Sequence, residues 1–305
     1  MTPTVTPTTI WQARARLKHQ VLRTPLLLSP ALSRRTGCQI YLKLECWQRC
    51  GCFKVRGAIN MVSALTPDAR ARGLVTASSG NHGLAVAYAA SLYGRPPTTV
   101  FVPQGADKTK VDKIQMLGAQ VIFHGQNYLE AYDRAQQYAC DRDAVYIHSH
   151  AHPLIIAGQG TIGLEIIEDL PDVEALLVPI GGGGLMAGVS TAVQSAAPAV
   201  HIIGVEPSAA PAAYLSIRDG VCHERIAIKP SLADGLLGGV GHLPFELFRS
   251  RIQEAVLVEE DEIAQAMGMF QQDEQLMIEA ASSVGLAAIL SGKVDLTDRK
   301  VVLIL

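Results

Sequence analysis

The sequence predicts an α/β chain of parallel-rich, twisted sheets flanked by helices, and two observations carry that reading. Short strand-like runs alternate with helix-like runs along most of the chain, the pattern of doubly wound sheets. Small-residue turns stand where a strand-like run ends and a helix-like run begins, above all the four consecutive glycines at 181–184. The composition agrees: 49% hydrophobic and 18% charged residues exclude a disordered chain.

Residues 1–9 are rich in Thr and Pro and read as a loose arm. An amphipathic helix follows over 10–21, closed by Thr24-Pro25. Residues 39–44 alternate like a strand, 59–65 read as a helix, and 74–76 form a short strand entering a Ser-Ser-Gly-Asn-His turn. Helices at 81–93, 108–117 and 128–140 then alternate with strands at 98–102, 120–123 and 145–148, with Gly94 and Gly118 ending the first two helices. These pieces suit a small parallel-sheet domain, placed at 73–151. The second part reads as a helix at 153–170, a strand at 175–180, a helix at 185–194 and a strand at 201–205. A Gly- and Pro-rich stretch at 208–244 is loop with one or two short helices. A strand at 255–258, helices at 261–271 and 283–290, and a buried-type strand at 301–305 complete the chain.

A chain of 305 residues suits one large or two small domains. The net charge of −2 gives no basic footprint for nucleic acid, no apolar run is long enough to span a bilayer, and residues 1–9 are no secretory signal. The six cysteines show no disulfide pattern, which suits the reducing cytoplasm. Cys46, Cys50 and Cys52 cluster, but they contain no paired Cys-x-x-Cys and no fourth metal ligand is evident. His148, His150 and His152 alternate as a metal-binding strand face would, yet Pro153 and the helix after it fit a strand end better.

The chemistry centres on Gly51-Cys52-Phe53-Lys54-Val55-Arg56-Gly57-Ala58. Lys54 lies between a strand-like and a helix-like run, beside small residues that let a flat ligand approach. Partial burial there would free the amine as a nucleophile. Gly181 to Gly184 present backbone N–H groups at a helix start, a setting for an anion such as phosphate. The spacing matches neither nucleotide-binding glycine fingerprint. Ser78 to Gly83 offers hydroxyls and N–H groups at another helix start, where a carboxylate is stabilised.

Lys43-Leu44-Glu45, the Lys54 stretch, Ser78-Ser79-Gly80-Asn81-His82-Gly83 and the glycine run occur in the order found in fold-type II pyridoxal-phosphate (PLP) enzymes. The chain resembles their serine/threonine dehydratase and serine racemase branch from about residue 24 to 305. The resemblance implies two domains of tryptophan synthase β-like fold: a large one from 1–72 and 152–305, and a small one from 73–151, with PLP between them. It implies that Lys54 holds PLP covalently, that Phe53 packs beside the ring, that Asn81 meets its phenolic oxygen, and that Gly181, Gly182, Gly183, Gly184 and Leu185 hold its phosphate. Ser78, Ser79, Gly80, Asn81 and His82 would bind the substrate carboxylate. The expected reaction is β-elimination from L-threonine, L-serine or a similar amino acid, giving a 2-oxo acid and ammonia. Ser79 would serve as a second acid/base, which keeps an amino-acid racemase open as the alternative. A homodimer or homotetramer is usual in the family.

Several positions depart from the family. Leu84 stands where glutamine is usual and His152 where an acid or amide is usual; both point to a larger β-hydroxy amino acid. Cys52 replaces a serine. Glu206 and the Ala210 carbonyl match two ligands of the racemase branch's Mg or Ca site, but Ala212 replaces the third, so tight binding of a divalent cation is not expected. The strand at 301–305 stops before the Ser, Thr or Cys that would meet the pyridine nitrogen, so the natural chain is expected to continue.

Overall fold

The computed structural model describes residues 4–78 and 80–305. Its ten strands among these residues form two sheets. One has six strands in the order β1-β2-β10-β7-β8-β9: β1 (Leu26–Leu28), β2 (Gln39–Lys43), β7 (Ala175–Pro179), β8 (His201–Pro207), β9 (Glu254–Val258) and β10 (Lys300–Ile304). The other has four in the order β5-β4-β3-β6: β3 (Leu74–Ala77), β4 (Thr98–Val102), β5 (Gln120–Phe123) and β6 (Val145–Tyr146). Every pairing is parallel except that of edge strand β1 with β2.

Both sheets are buried on both faces, which explains their continuous apolar runs. Alternate residues of β7 separate cleanly: Leu176 and Val178 join the core formed with the helices Pro153–Asp169 and Gly184–Ala196, whereas Ala175 and Leu177 join the opposite core with the helix Ala280–Leu290. In the smaller sheet, Val100 and Val102 pack under the helices Asn81–Leu92 and Lys108–Met116, and Val75 and Phe101 under Tyr128–Asp141. The helix Lys54–Ala64 packs on Asn81–Leu92 through Val55, Ile59 and Val62 against Ala85, Val86 and Ala89.

Strand order fixes where a ligand can sit. From β7 the chain steps through β8 to β9 on one side, then returns to β10 on the other. From β3 it steps to β4 and β5, then returns to β6 on the far side. Each sheet therefore reverses direction beside its β7 or β3 strand, and the crevice beyond the carboxyl ends there is the favoured ligand position of open α/β sheets. The glycine run follows β7 and the Ser-Gly-Asn-His turn follows β3.

Several sequence expectations shift. The first helix is Pro7–Leu17 rather than 10–21: Thr6 caps it reciprocally with Thr9 and Pro7 occupies its first position, so the segment read as a loose arm is helical from Pro7 onward. The strand expected at 145–148 stops at Tyr146. There His148 Nδ1 accepts the N–H groups of His150 and Ala151 and turns the chain. Strand β1 and the short helices Pro30–Thr36 and Pro67–Ala71 were not expected; the latter two are capped by Ser29 and Thr66.

Candidate active site

Three helices meet through glycine, and their contact sets the spacing of the site. A Cβ on Gly57 would stand 2.8 Å from the Ile155 carbonyl oxygen, and one on Gly158 would stand 2.6 Å from the Gly57 Cα. A Cβ on Gly188 would stand 2.4 Å from the Ile156 carbonyl oxygen and 2.6 Å from the Gly160 nitrogen. The helix Pro153–Asp169 thus touches the lysine helix on one side and the glycine-loop helix on the other, backbone to backbone. Gln159 Oε1 also accepts the Gly57 N–H.

A buried ion network joins the lysine helix and the helix Pro153–Asp169 to β2. Arg56 is fully buried between Glu45 and Glu165, bonded to both carboxylates at 2.7–2.9 Å, and Lys43 Nζ reaches Glu165 at 2.7 Å. Thr24 Oγ1 donates to Glu45. Two cations and two carboxylates balance, which is what makes such burial tolerable. Burial alone would raise the Glu165 carboxyl; Arg56 and Lys43 outweigh it and hold it below the usual range. The Lys-Leu-Glu string of the sequence is half of this network.

Lys54 opens its helix, half-buried, with Nζ 5.2 Å from the centre of the Phe53 ring and 3.3 Å from the Ser149 carbonyl oxygen. Burial lowers its pKa, so the amine gives up its proton more readily than a surface lysine. The next residue, His150, lies on the glycine loop: a Cβ on Gly182 would stand 2.3 Å from its ring. Lysine and loop are therefore joined through two consecutive residues. Among the described residues, the N–H groups of Gly181, Gly182, Gly183 and Gly184 donate to no backbone carbonyl, while Gly183, at φ +84°, turns the chain into the helix Gly184–Ala196. Leu185 is buried in the core beneath.

On the other side, Ser78 Oγ accepts the Gly80 N–H. Asn81 Nδ2 donates to Glu279 at 2.6 Å, and Lys110 Nζ donates to the other oxygen of Glu279 at 2.9 Å. Asn81 and Lys110 belong to helices of the smaller sheet, and Glu279 immediately precedes the helix Ala280–Leu290 of the larger one, so this trio bridges the two. The Lys110 side chain lies over Gly80. Buried His82 donates from Nε2 to the Ile147 carbonyl, its Nδ1 has no partner among the described residues, and burial with Lys54 nearby drops its pKa to about 3. Ser79, expected as the second catalytic residue and a carboxylate contact, lies outside the described residues.

The remaining candidates divide. His148 is drawn down to about 4 by burial, His152 and Lys54, and His152 Nδ1 caps the helix Pro153–Asp169. The three histidines form a turn and a cap; among the described residues no group of three or more His, Cys, Asp or Glu side chains is arranged to hold a metal. Cys46, Cys50 and Cys52 are free thiols, with Cys52 buried. Leu84 packs in the apolar core with Val100 and Ile114. Glu206 is fully buried, and its two oxygens accept the N–H groups of Ala213 and Tyr214 at 2.8 Å, so the carboxylate caps the helix Ala212–Asp219. Ala210 is buried beside it.

The sequence did not single out Arg56, Glu165, Lys110 or Glu279. Only Arg56 carried a local signal, a charge two residues past the lysine inside an otherwise apolar helix.

Comparison with known proteins finds relatives over nearly the whole chain. A family model described as pyridoxal-phosphate dependent enzyme matches residues 17–305. An L-threonine ammonia-lyase of Thermotoga maritima is 45% identical over 297 residues, 97% of this chain and 73% of that protein. A serine racemase of Arabidopsis thaliana is 38% identical, covering 92% of this chain and 85% of its own length. The structure of maize serine racemase superposes with a TM-score of 0.92 at 32% identity, covering 99% of this chain and 93% of the other. The expected α/β fold of fold-type II enzymes is borne out by these neighbours. With nearly the whole chain matched, it belongs to the pyridoxal-phosphate dependent enzyme family.

Proposed function

We propose that the chain dehydrates and deaminates a β-hydroxy amino acid, with L-threonine or L-serine as default substrate, giving a 2-oxo acid and ammonia. The observation that carries this reading is the pairing of a half-buried lysine of lowered pKa with a glycine loop whose four N–H groups donate to no backbone carbonyl among the described residues. These residues fit PLP: an amine for its aldehyde, N–H groups at a helix start for its phosphate, and glycines where any Cβ would crowd the loop. The similarity to an L-threonine ammonia-lyase supports the substrate class.

When bound, PLP supplies the electron sink that stabilises negative charge at the substrate Cα. Lys54 would hold the cofactor, and its amine, made less basic by burial, would take the substrate Cα proton. Gly181 to Gly184, with Leu185, would hold the phosphate, and Phe53 would pack beside the ring. Asn81, whose amide donates to Glu279, would serve the phenolic oxygen. Ser78, Ser79, Gly80 and His82 receive the substrate carboxylate at the start of the helix Asn81–Leu92. Loss of the β-hydroxyl and hydrolysis then give the products.

We divide the chain into a large domain of 1–72 and 152–305 and a small one of 73–151, with the site between them. Edge strand β1, which leaves Leu27 and Leu28 half-exposed, supports assembly as a homodimer or homotetramer, to be read by light scattering. The absence of disulfides among the described residues suits the cytoplasm, and no described helix is long and apolar enough to cross a membrane. Glu206 and the Ala210 carbonyl remain from the divalent-cation site, but both Glu206 oxygens already serve backbone N–H groups, which does not fit Mg or Ca activation.

The test is proton NMR of the protein with PLP and a panel of β-hydroxy amino acids in heavy water. Loss of the Cα signal with growth of a 2-oxo acid is expected, and Lys54→Ala should abolish both. Full activity of Lys54→Ala would refute the mechanism. A second reading, racemisation with Ser79 as the opposing acid/base, is favoured by the serine racemase relative. Cα exchange without 2-oxo acid would select it.

A further inference from the structure

We propose that His150 is a positioning residue for the cofactor's phosphate, its imidazole Nε2–H completing the cup that the glycine loop begins. This rests on the reading of Gly181 to Gly184 as the phosphate loop. His150 follows β6, one residue after the carbonyl that receives Lys54 Nζ. Its ring is held between two glycines. A Cβ on Gly182 would stand 2.3 Å from its Cγ and Nδ1, and a Cβ on Gly241 would stand 2.9 Å from its Cδ2 and 3.1 Å from its Nε2. Those glycines are themselves joined, because the Gly241 N–H donates to the Gly182 carbonyl at 3.2 Å. Any side chain larger than hydrogen at either position would displace the ring.

The two ring nitrogens have different surroundings. Nδ1 meets Ser149 Oγ at 2.9 Å, and Ser149 Oγ meets the Tyr128 hydroxyl at 3.0 Å. When Tyr128 donates to Ser149 and Ser149 donates to Nδ1, the one proton of a neutral imidazole stands on Nε2. Among the described residues Nε2 has no hydrogen-bond partner, and it lies on the ring edge near Gly241. Burial, with His148 and Lys54 close by, keeps the ring neutral. The result is an N–H donor held at the contact between Gly182 and Gly241, on the wall of the glycine loop. Tyr128, half-buried at the start of its helix, sets that tautomer when it donates to Ser149.

Two amides separate this role from mere space-filling. In His150→Asn the amide nitrogen falls near the place of Nδ1, and the Nε2 donor is lost. In His150→Gln it falls near the place of Nε2. PLP affinity, read from the visible absorbance of the lysine-bound cofactor, should weaken about tenfold or more in His150→Asn and stay within about threefold of wild type in His150→Gln, as expected for a hydrogen bond to a charged group. Pyridoxal, which lacks the phosphate, should bind both variants as it binds wild type. The phosphorus NMR signal of bound PLP should move in His150→Asn. Equal PLP affinity in the two variants, or a parallel loss of pyridoxal affinity, would overturn the proposal. A wild-type protein that takes up no PLP at Lys54 would overturn the functional reading beneath it.

Discussion

Gly188→Ala tests whether helix contact through bare backbone sets the spacing of the site. The added methyl would stand 2.4 Å from the Ile156 carbonyl oxygen and 2.6 Å from the Gly160 nitrogen, where ordinary contact begins near 3.4 Å. The helices Pro153–Asp169 and Gly184–Ala196 must part by about 1 Å, because the obstructing atoms are backbone and no side chain can swing away. Overpacking of this kind costs about 1–3 kcal/mol, and rigid neighbours place it at the upper end. Alanine returns about 1 kcal/mol of helix propensity, leaving a net loss of about 2 kcal/mol. Gly268→Ala is the control: it lies within the helix Glu260–Glu274, and its methyl would meet nothing within 4 Å. It should gain about 1 kcal/mol. At about 2–4 °C per kcal/mol for a domain of this size, thermal unfolding should move down by roughly 4–8 °C in the first variant and up by roughly 2–4 °C in the second. Gly188→Ala should also weaken PLP, since the displaced helix begins at the glycine loop. Equal melting temperatures for the two variants would falsify the reasoning.

Lys110→Met and Glu279→Gln each weaken the contact that spans the two sheets. The pair is partly exposed, so unfolding stability should change by less than about 1 kcal/mol. The orientation of the Asn81 amide should suffer more, and KM should rise about threefold to tenfold with little change in kcat; an unmoved KM in both variants refutes the bridging role. Glu206 predicts a pH slope. Burial raises its carboxyl from near 4.5 to about 8, against the pull of two N–H groups. The folded chain then holds a proton that the unfolded chain has released, so its contribution is complete below about pH 4.5 and is lost as pH rises through about 8. The slope is at most about 1.4 kcal/mol per pH unit. Melting temperature should fall across that window relative to Glu206→Gln; a constant difference between the two proteins argues against it.

What the sequence made legible was local chemistry. Lys54, the glycine run and the Ser-Gly-Asn-His turn each announce themselves by residue type at a strand-to-helix junction, where the backbone already offers donors. What it hid depends on distant partners. Lys43 and Glu45 look like a string, but their meaning lies in Arg56, 11 residues beyond Glu45, and in Glu165, 122 residues beyond Lys43. His150 looks like the middle of a metal face until the His148 ring takes two backbone N–H groups and breaks the alternation. Glu206 reads as a surface acid or a ligand because no sequence pattern reveals that a helix start lies against both its oxygens.

This division has a physical consequence for how such a site can change. The distance between lysine and loop is held by Gly57 against Gly158 and by Gly160 against Gly188, contacts made by backbone and independent of the residues that face the ligand. The turns after β3 and β6 are packed as well: a Cβ on Gly184 would stand 2.9 Å from the His150 carbonyl oxygen, and one on Gly80 would stand 2.5 Å from Lys110 Cδ. The glycine contacts therefore set the spacing of lysine and loop, and the turns carry the side chains proposed to meet cofactor and substrate. Substitutions at the glycines should alter cofactor binding and stability together, whereas substitutions in the turns should separate the two.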